Sequence, residues 1–91
     1  MATEDARGPD VSLAEALEDL LERMVAQQQE RVLRQAQALC PRLCADDLLQ
    51  PDDYPELAGN ARWNYEDGVL AGLRAAQMAV RVELRRRMEP T

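Results

Sequence analysis

Apolar residues recur along this chain in two long stretches at the three- and four-residue spacing of a helix, separated by a polar segment rich in proline. In the first stretch, Leu13, Leu17, Leu20, Leu21, Met24, Val25, Val32, Ala36 and Leu39 form one broad stripe. Gln28 falls on that stripe, where it either fixes the register between packed helices or leaves the core thin. The run Ser12-Leu13-Ala14-Glu15 has the form of a capping box, and Glu15, Glu18, Asp19 and Glu22 fill the first turns, where the helix dipole favours acids. The pattern predicts a helix over about 12–40, roughly 42 Å long. Pro41 should end or kink it, because proline disfavours helix in the residue before it. Residues 1–11, broken by Gly8-Pro9, are expected to form a flexible tail.

The second stretch predicts a helix over about 62–88, followed by a short tail at 89–91. Its stripe is Val69, Leu73, Ala76, Val80 and Leu84, with Leu70 beside it and Trp63 or Tyr65 at the entry. A second row, Gly68, Gly72, Ala75 and Ala79, has almost no side chains. Each glycine costs about 1 kcal/mol relative to alanine inside a helix. The row is therefore expected to mark the tightest helix–helix contact.

Between the stretches, residues 41–61 form the connector. Ala45–Gln50 predicts one capped helical turn stopped by Pro51, and Asp52–Leu57 an extended or turn-like segment held by its prolines. Gly59-Asn60 signals a turn, with Asn60 or Asn64 as the cap of the second helix.

Composition supports an all-α fold. Ala, Leu, Arg, Gln, Glu and Met dominate both arms, and there is no Phe among the 91 residues. The net charge of −6 is divided as −4 over residues 1–39, −5 over 40–67 and +3 over 68–91. Both arms begin acidic; the first carries Arg31 and Arg34 later, and the second ends on Arg81, Arg85, Arg86 and Arg87. Antiparallel packing sets acid against base at both ends, whereas parallel packing sets acid against acid. Two helices bury a single seam, and small scaffolds commonly complete their cores by oligomerising. The expected architecture is thus a single domain over 12–88, an antiparallel two-helix hairpin completed to a four-helix bundle by homodimerisation. The expected assembly surface is Leu17, Leu21, Met24, Val25, Val32, Val69, Leu73, Val80 and Leu84.

The same composition narrows the chemistry. With no histidine and no lysine, the usual general base near neutral pH and Schiff-base chemistry are both missing. Glu15, Glu18 and Glu22 could hold magnesium, but acids in first turns are ordinarily a solvated face. Asp46, Asp47, Asp52 and Asp53 lack the alternation, central glycine and closing glutamate of an EF-hand. No enzyme and no cofactor are expected. An acidic chain is a poor ligand for nucleic acid, and no apolar run approaches the length of a membrane span. The start of the chain has no signal-peptide pattern, and two cysteines without secretory features fit the cytoplasm.

Two local features remain. Cys40 and Cys44 would share a face if the helix ran through Pro41, and two copies across a dimer axis could then form a Cys₄ zinc site or a redox pair. The simpler expectation is that they behave as small buried hydrophobes. Tyr54, Trp63 and Tyr65 lie among the acids of the bend. They either pack it against the helix ends or, with Asp52 and Asp53, offer a basic partner protein an acidic aromatic patch. Arg85-Arg86-Arg87 suits a helix C-terminus. The functional expectation is a non-enzymatic interaction module that binds itself and another protein, with a thiol or zinc sensor at Cys40 and Cys44 as the alternative.

Overall fold

A computed structural model describes residues 9–89, so most of the tails expected at 1–11 and 89–91 lies outside the described residues, while residues 9–11 belong to a helix and not to a tail. Helix α1 (Pro9–Leu39) runs into a connector of two 3-10 turns (Ala45–Leu49 and Pro51–Asp53) and a four-residue helix α2 (Pro55–Ala58). The chain then returns as α3 (Ala61–Met88). No strand occurs among the described residues, and the fold is all-α. No described helix is long and apolar enough to cross a membrane.

Helix α1 starts one turn earlier than the Ser12 capping box implied. Proline suits a first helical turn because its missing N–H has no intrahelical partner to lose there. Ser12 is therefore inside the helix and is not its cap. The other end behaves as the prolines dictate: α1 stops at Leu39, two residues before Pro41. Asn60 caps α3, its Oδ1 accepting from the Trp63 amide at 2.8 Å, while the Asn64 side chain donates to the Ala58 carbonyl at 3.0 Å. The segment Asp52–Leu57 is more helical than an extended reading allowed, because Pro51 and Pro55 each open a helical turn.

Four interhelical hydrogen bonds set direction and register. Trp63 Nε1 donates to the Val32 carbonyl at 3.2 Å. Gln28 Nε2 donates to the Glu66 carbonyl at 2.9 Å and to its Oε1 at 2.7 Å. Gln77 Nε2 donates to Glu22 Oε1 at 3.1 Å. Numbers rise along α3 as they fall along α1, so the pair is antiparallel. Gln28 is buried and its amide is bonded across the seam. Between the two roles open to it, it fixes register.

The core occupies one end of the hairpin. Val32, Ala36, Cys40, Leu43, Leu57, Trp63 and Leu70 form a single buried cluster, with Val25, Leu48 and Tyr54 packed against it. Trp63 is only 2% exposed and sits where α3 enters the seam. Beyond Leu70, towards the chain ends, Ala14 is the sole buried residue among those described.

The row Gly68, Gly72, Ala75 and Ala79 is exposed, which corrects the expectation that it forms the tightest contact within the chain. A Cβ built on Gly68 or Gly72 would meet nothing within 4 Å. These residues lie half a turn away from Leu70, on the side of α3 opposite α1. Ala76, placed on the stripe, is exposed as well.

Candidate interaction surfaces

Two flanks of the hairpin and its bend carry the features that could act on other molecules. On one flank, Leu13, Leu17, Leu20 and Met24 follow each other at spacings of four, three and four on α1, and all are exposed, Leu13 at 61%. Helix α3 adds half-buried Val69, Leu73 and Val80 and exposed Ala76. Two clefts join the helices along this flank. One is lined by Met24, Gln27, Gln28, Arg31 and Leu73, the other by Leu13, Ala14, Leu17, Leu84, Arg87 and Met88.

The nine residues expected at the assembly surface thus divide. Leu17, Met24, Val69, Leu73 and Val80 lie on the open flank. Val32 is buried in the hairpin's own core and Val25 packs against it, so neither is free to meet a second molecule. Leu21 and Leu84 are half-buried, and Leu84 borders clefts on both flanks, which puts it between the helices. The two residues lost from the list belong to the core around Trp63 or pack against it.

The bend is ordered by a small polar network. Asp47 Oδ2 accepts from the Cys44 amide at 2.9 Å and caps the first 3-10 turn. That hydrogen bond, with those from the Cys44 and Tyr54 side chains, holds the Asp47 carboxyl below the ordinary aspartate range. The Tyr54 hydroxyl donates to Asp47 and is pushed above the usual tyrosine value chiefly for that reason. The Arg42 guanidinium lies over the Tyr54 ring, 5.8 Å from its centroid. Gln37 Nε2 donates to the Leu43 carbonyl at 3.0 Å, tying the first residues of the bend back to α1.

This network predicts a pH window for the bend. The Asp47 contribution is fully present above the unfolded value of 3.8 and is lost as pH falls through the lowered folded value. The Tyr54 contribution is fully present below 10.0 and is lost as pH rises through the raised folded value. Amide exchange at Cys44 should accelerate at both limits once corrected for intrinsic rates, and Asp47→Asn should remove the acid limb. An unchanged acid limb in that variant would refute the assignment.

The aromatics do not form one patch. Trp63 is enclosed in the core and offers no surface to a partner, which corrects its place among the contact candidates. Tyr54 is half-buried and packs the bend. Tyr65 is 69% exposed on the outer side of α3, two residues and more than half a turn from Trp63. Asp52 and Asp53 are exposed in the second 3-10 turn.

The cysteines are also separated. Because α1 ends before Pro41, the condition that would set both thiols on one face is not met. Both are free thiols, Cys40 buried in the core and Cys44 exposed at the bend. No group of three or more Cys, Asp or Glu side chains among the described residues is placed to hold a metal ion. At the other end of the molecule, Arg86 and Arg87 pair with Glu83 of the same helix, at 3.7 and 2.8 Å. The cysteine environments predict unequal costs. Cys40→Ser buries a hydroxyl among apolar groups and should lower stability by about 1–3 kcal/mol. Cys44→Ser should stay within about 0.5 kcal/mol. Urea denaturation of the two variants checks this, and equal losses would contradict the burial difference.

Sequence reasoning missed Leu43 and Leu57 as core members, since each stands alone in a polar, proline-rich segment with no periodicity to mark it. It also missed a groove on the second flank, between the first 3-10 turn and the two long helices. No sequence pattern could have signalled that groove, because its walls come from three separate elements.

No family model, curated protein or solved structure matches this chain.

Proposed function

We propose that this chain is a small, non-catalytic helical module that works by binding protein, first of all a second copy of itself. The observation that carries this reading is the mismatch between stripe and core. Buried residues cluster at the bend, yet the apolar positions continue for two further helical turns and more, to Leu13 on α1 and to Leu84 on α3. An apolar flank shared by two antiparallel helices is the surface by which two hairpins close into a four-helix bundle. A two-fold arrangement lets the same patch serve both copies. Leu17, Met24, Val69, Leu73 and Val80 form its centre. Arg31 and Arg87 border the two clefts and give it a polar rim.

Several features support binding over chemistry. The chain has no histidine or lysine to act as base or nucleophile. A thiol or zinc reading is left with one accessible sulfur per chain, since Cys40 is enclosed. Further partner contacts are proposed at the bend through Asp52, Asp53 and Tyr54 and at Tyr65 on α3. The cysteine content suits a reducing cytoplasm.

Native mass spectrometry of the reduced protein tests the reading. A metal-free dimer, or a larger even-numbered assembly, is expected. A chain that stays monomeric at tens of micromolar would sink the self-assembly half of the proposal. A zinc-loaded dimer would transfer the function to the cysteines.

A further inference from the structure

On the flank opposite the assembly surface, the first 3-10 turn stands off from α1 and α3 and leaves a groove of about 370 Å³. Its floor is Val32, Leu48 and Leu70, and Leu33 and Leu49 form its walls. Leu49 is 78% exposed, although it stands beside apolar neighbours it could have closed upon. The charged groups at the edge are Glu30, Asp67 and Arg74. Asp67 and Arg74 form no ion pair among the described residues, and Glu30 has only an exposed partner, Arg34, at 3.5 Å on the same helix. Such an exposed pair is worth little and yields readily to a better one.

We infer that this groove receives an amphipathic helix of another protein, one that carries a cation beside its first apolar side chain and an anion about two turns further on. The charge order supplies the argument. Asp67 and Arg74 are seven residues apart on α3, hence about 10 Å along the helix. Glu30 lies near the acidic end, because Gln28 of α1 is bonded to Glu66 of α3. Residues 40–67, the part of the chain beside that end, carry a net charge of −5. A cation there is attracted by Glu30, Asp67 and the bend together, while Arg74 selects an anion or the C-terminal carbonyls of the incoming helix. The helical form of the occupant follows from backbone chemistry. The groove offers apolar walls and no strand edge, so an extended segment would leave its N–H and C=O groups without partners. A helix satisfies them internally and presents side chains at i, i+3, i+4 and i+7 to the floor.

The inference does not rest on the four-helix bundle, which uses the other flank. Its test is titration of the intact, methyl-labelled protein with a synthetic helical peptide that has leucines at i, i+3, i+4 and i+7, arginines beside the first and a glutamate beside the last. Shifts should centre on the methyls of Leu33, Leu48 and Leu49. Affinity should fall at least tenfold when the leucines become serine at constant charge, and equally when the charge order is reversed. Asp67→Arg should weaken binding at least tenfold and prefer the reversed peptide. Leu49→Asp should abolish binding with helicity unchanged. Leu73→Asp, on the assembly flank, should bind the peptide as the parent does, which separates failure here from failure of the bundle. Equal binding of the leucine and serine peptides, or indifference to Asp67→Arg, would overturn the inference. So would movement of the same methyl signals on dilution without peptide, which would assign the groove to a second copy.

Discussion

Replacing Trp63 by alanine should unfold the bend and, with it, most of the hairpin at 37 °C. Large aromatic-to-alanine changes in a core cost about 3–5 kcal/mol. Domains of this size have roughly 5–15 kcal/mol in total, and a 91-residue chain with a core confined to one end belongs at the low side of that range. Trp63 also joins the end of the bend to α1. Its amide is capped by Asn60, its ring belongs to the cluster with Leu57 and Leu43, and its indole N–H bonds the Val32 carbonyl. Thermal unfolding followed by circular dichroism should show the midpoint falling by about 12 °C or more, since each kcal/mol moves a domain of this length by about 4–8 °C. Trp63→Phe separates volume from hydrogen bond. It keeps much of the ring but loses the donor, and should cost less than the alanine variant. A loss under 1 kcal/mol for Trp63→Ala would mean that the core is organised elsewhere.

Leu73→Asp should separate the assembled protein into single hairpins. Leu73 borders the cleft beside Met24 at the middle of the open flank, so in the proposed bundle its side chain is enclosed by the second copy. An unpaired carboxylate there loses both the apolar contact and its own hydration, an effect larger than any rim substitution could produce. The expected result is a halved mass in light scattering or native mass spectrometry. Helicity at high concentration should stay near that of the parent, because Leu73 is outside the buried cluster. Leu17→Asp, on the more exposed helix, provides a second reading in case the first variant loosens the hairpin. Unchanged mass in both variants would refute the assignment of this flank.

The helices could be read from the sequence because their cause is local. Periodicity located both arms within three residues at each end, and the polarity of Glu66 and Asp67 against Arg81 and Arg85 favoured the antiparallel direction that the Gln28–Glu66 and Gln77–Glu22 bonds display. The start of α1 was misplaced because a serine followed by Glu15 satisfies the capping pattern wherever it falls, while proline at position 9 competes as an earlier start. The facing of α3 was harder. Its apolar and small residues encircle most of the helix, so spacing alone could not decide that Leu70, not Ala76 or Gly72, would turn inward. That choice is made by Trp63, which enters the seam first and carries Leu70, seven residues on, to the same side. The groove beneath the 3-10 turn depends on how a proline-rich connector folds back, which no residue pattern encodes.

Gln28 marks the boundary at which the two halves of the hairpin part company. On the bend side of its bond to Glu66, and out to Val25 and Leu70 one turn past it, opening must break packed core; farther along, the arms are held by a thin seam and the Gln77–Glu22 bond. Local opening free energies should therefore grade along α1, with amides near Leu17 exchanging through fraying and those near Ala36 only through global unfolding. In the proposed bundle, a second copy laid on the arms would suppress fraying there and raise the cost of global unfolding, so protection near Leu17 and near Ala36 should both rise with protein concentration. The molecule would behave as a sprung peg: hinged and rigid at the tip, with a grip whose firmness is set by how much of its own kind surrounds it.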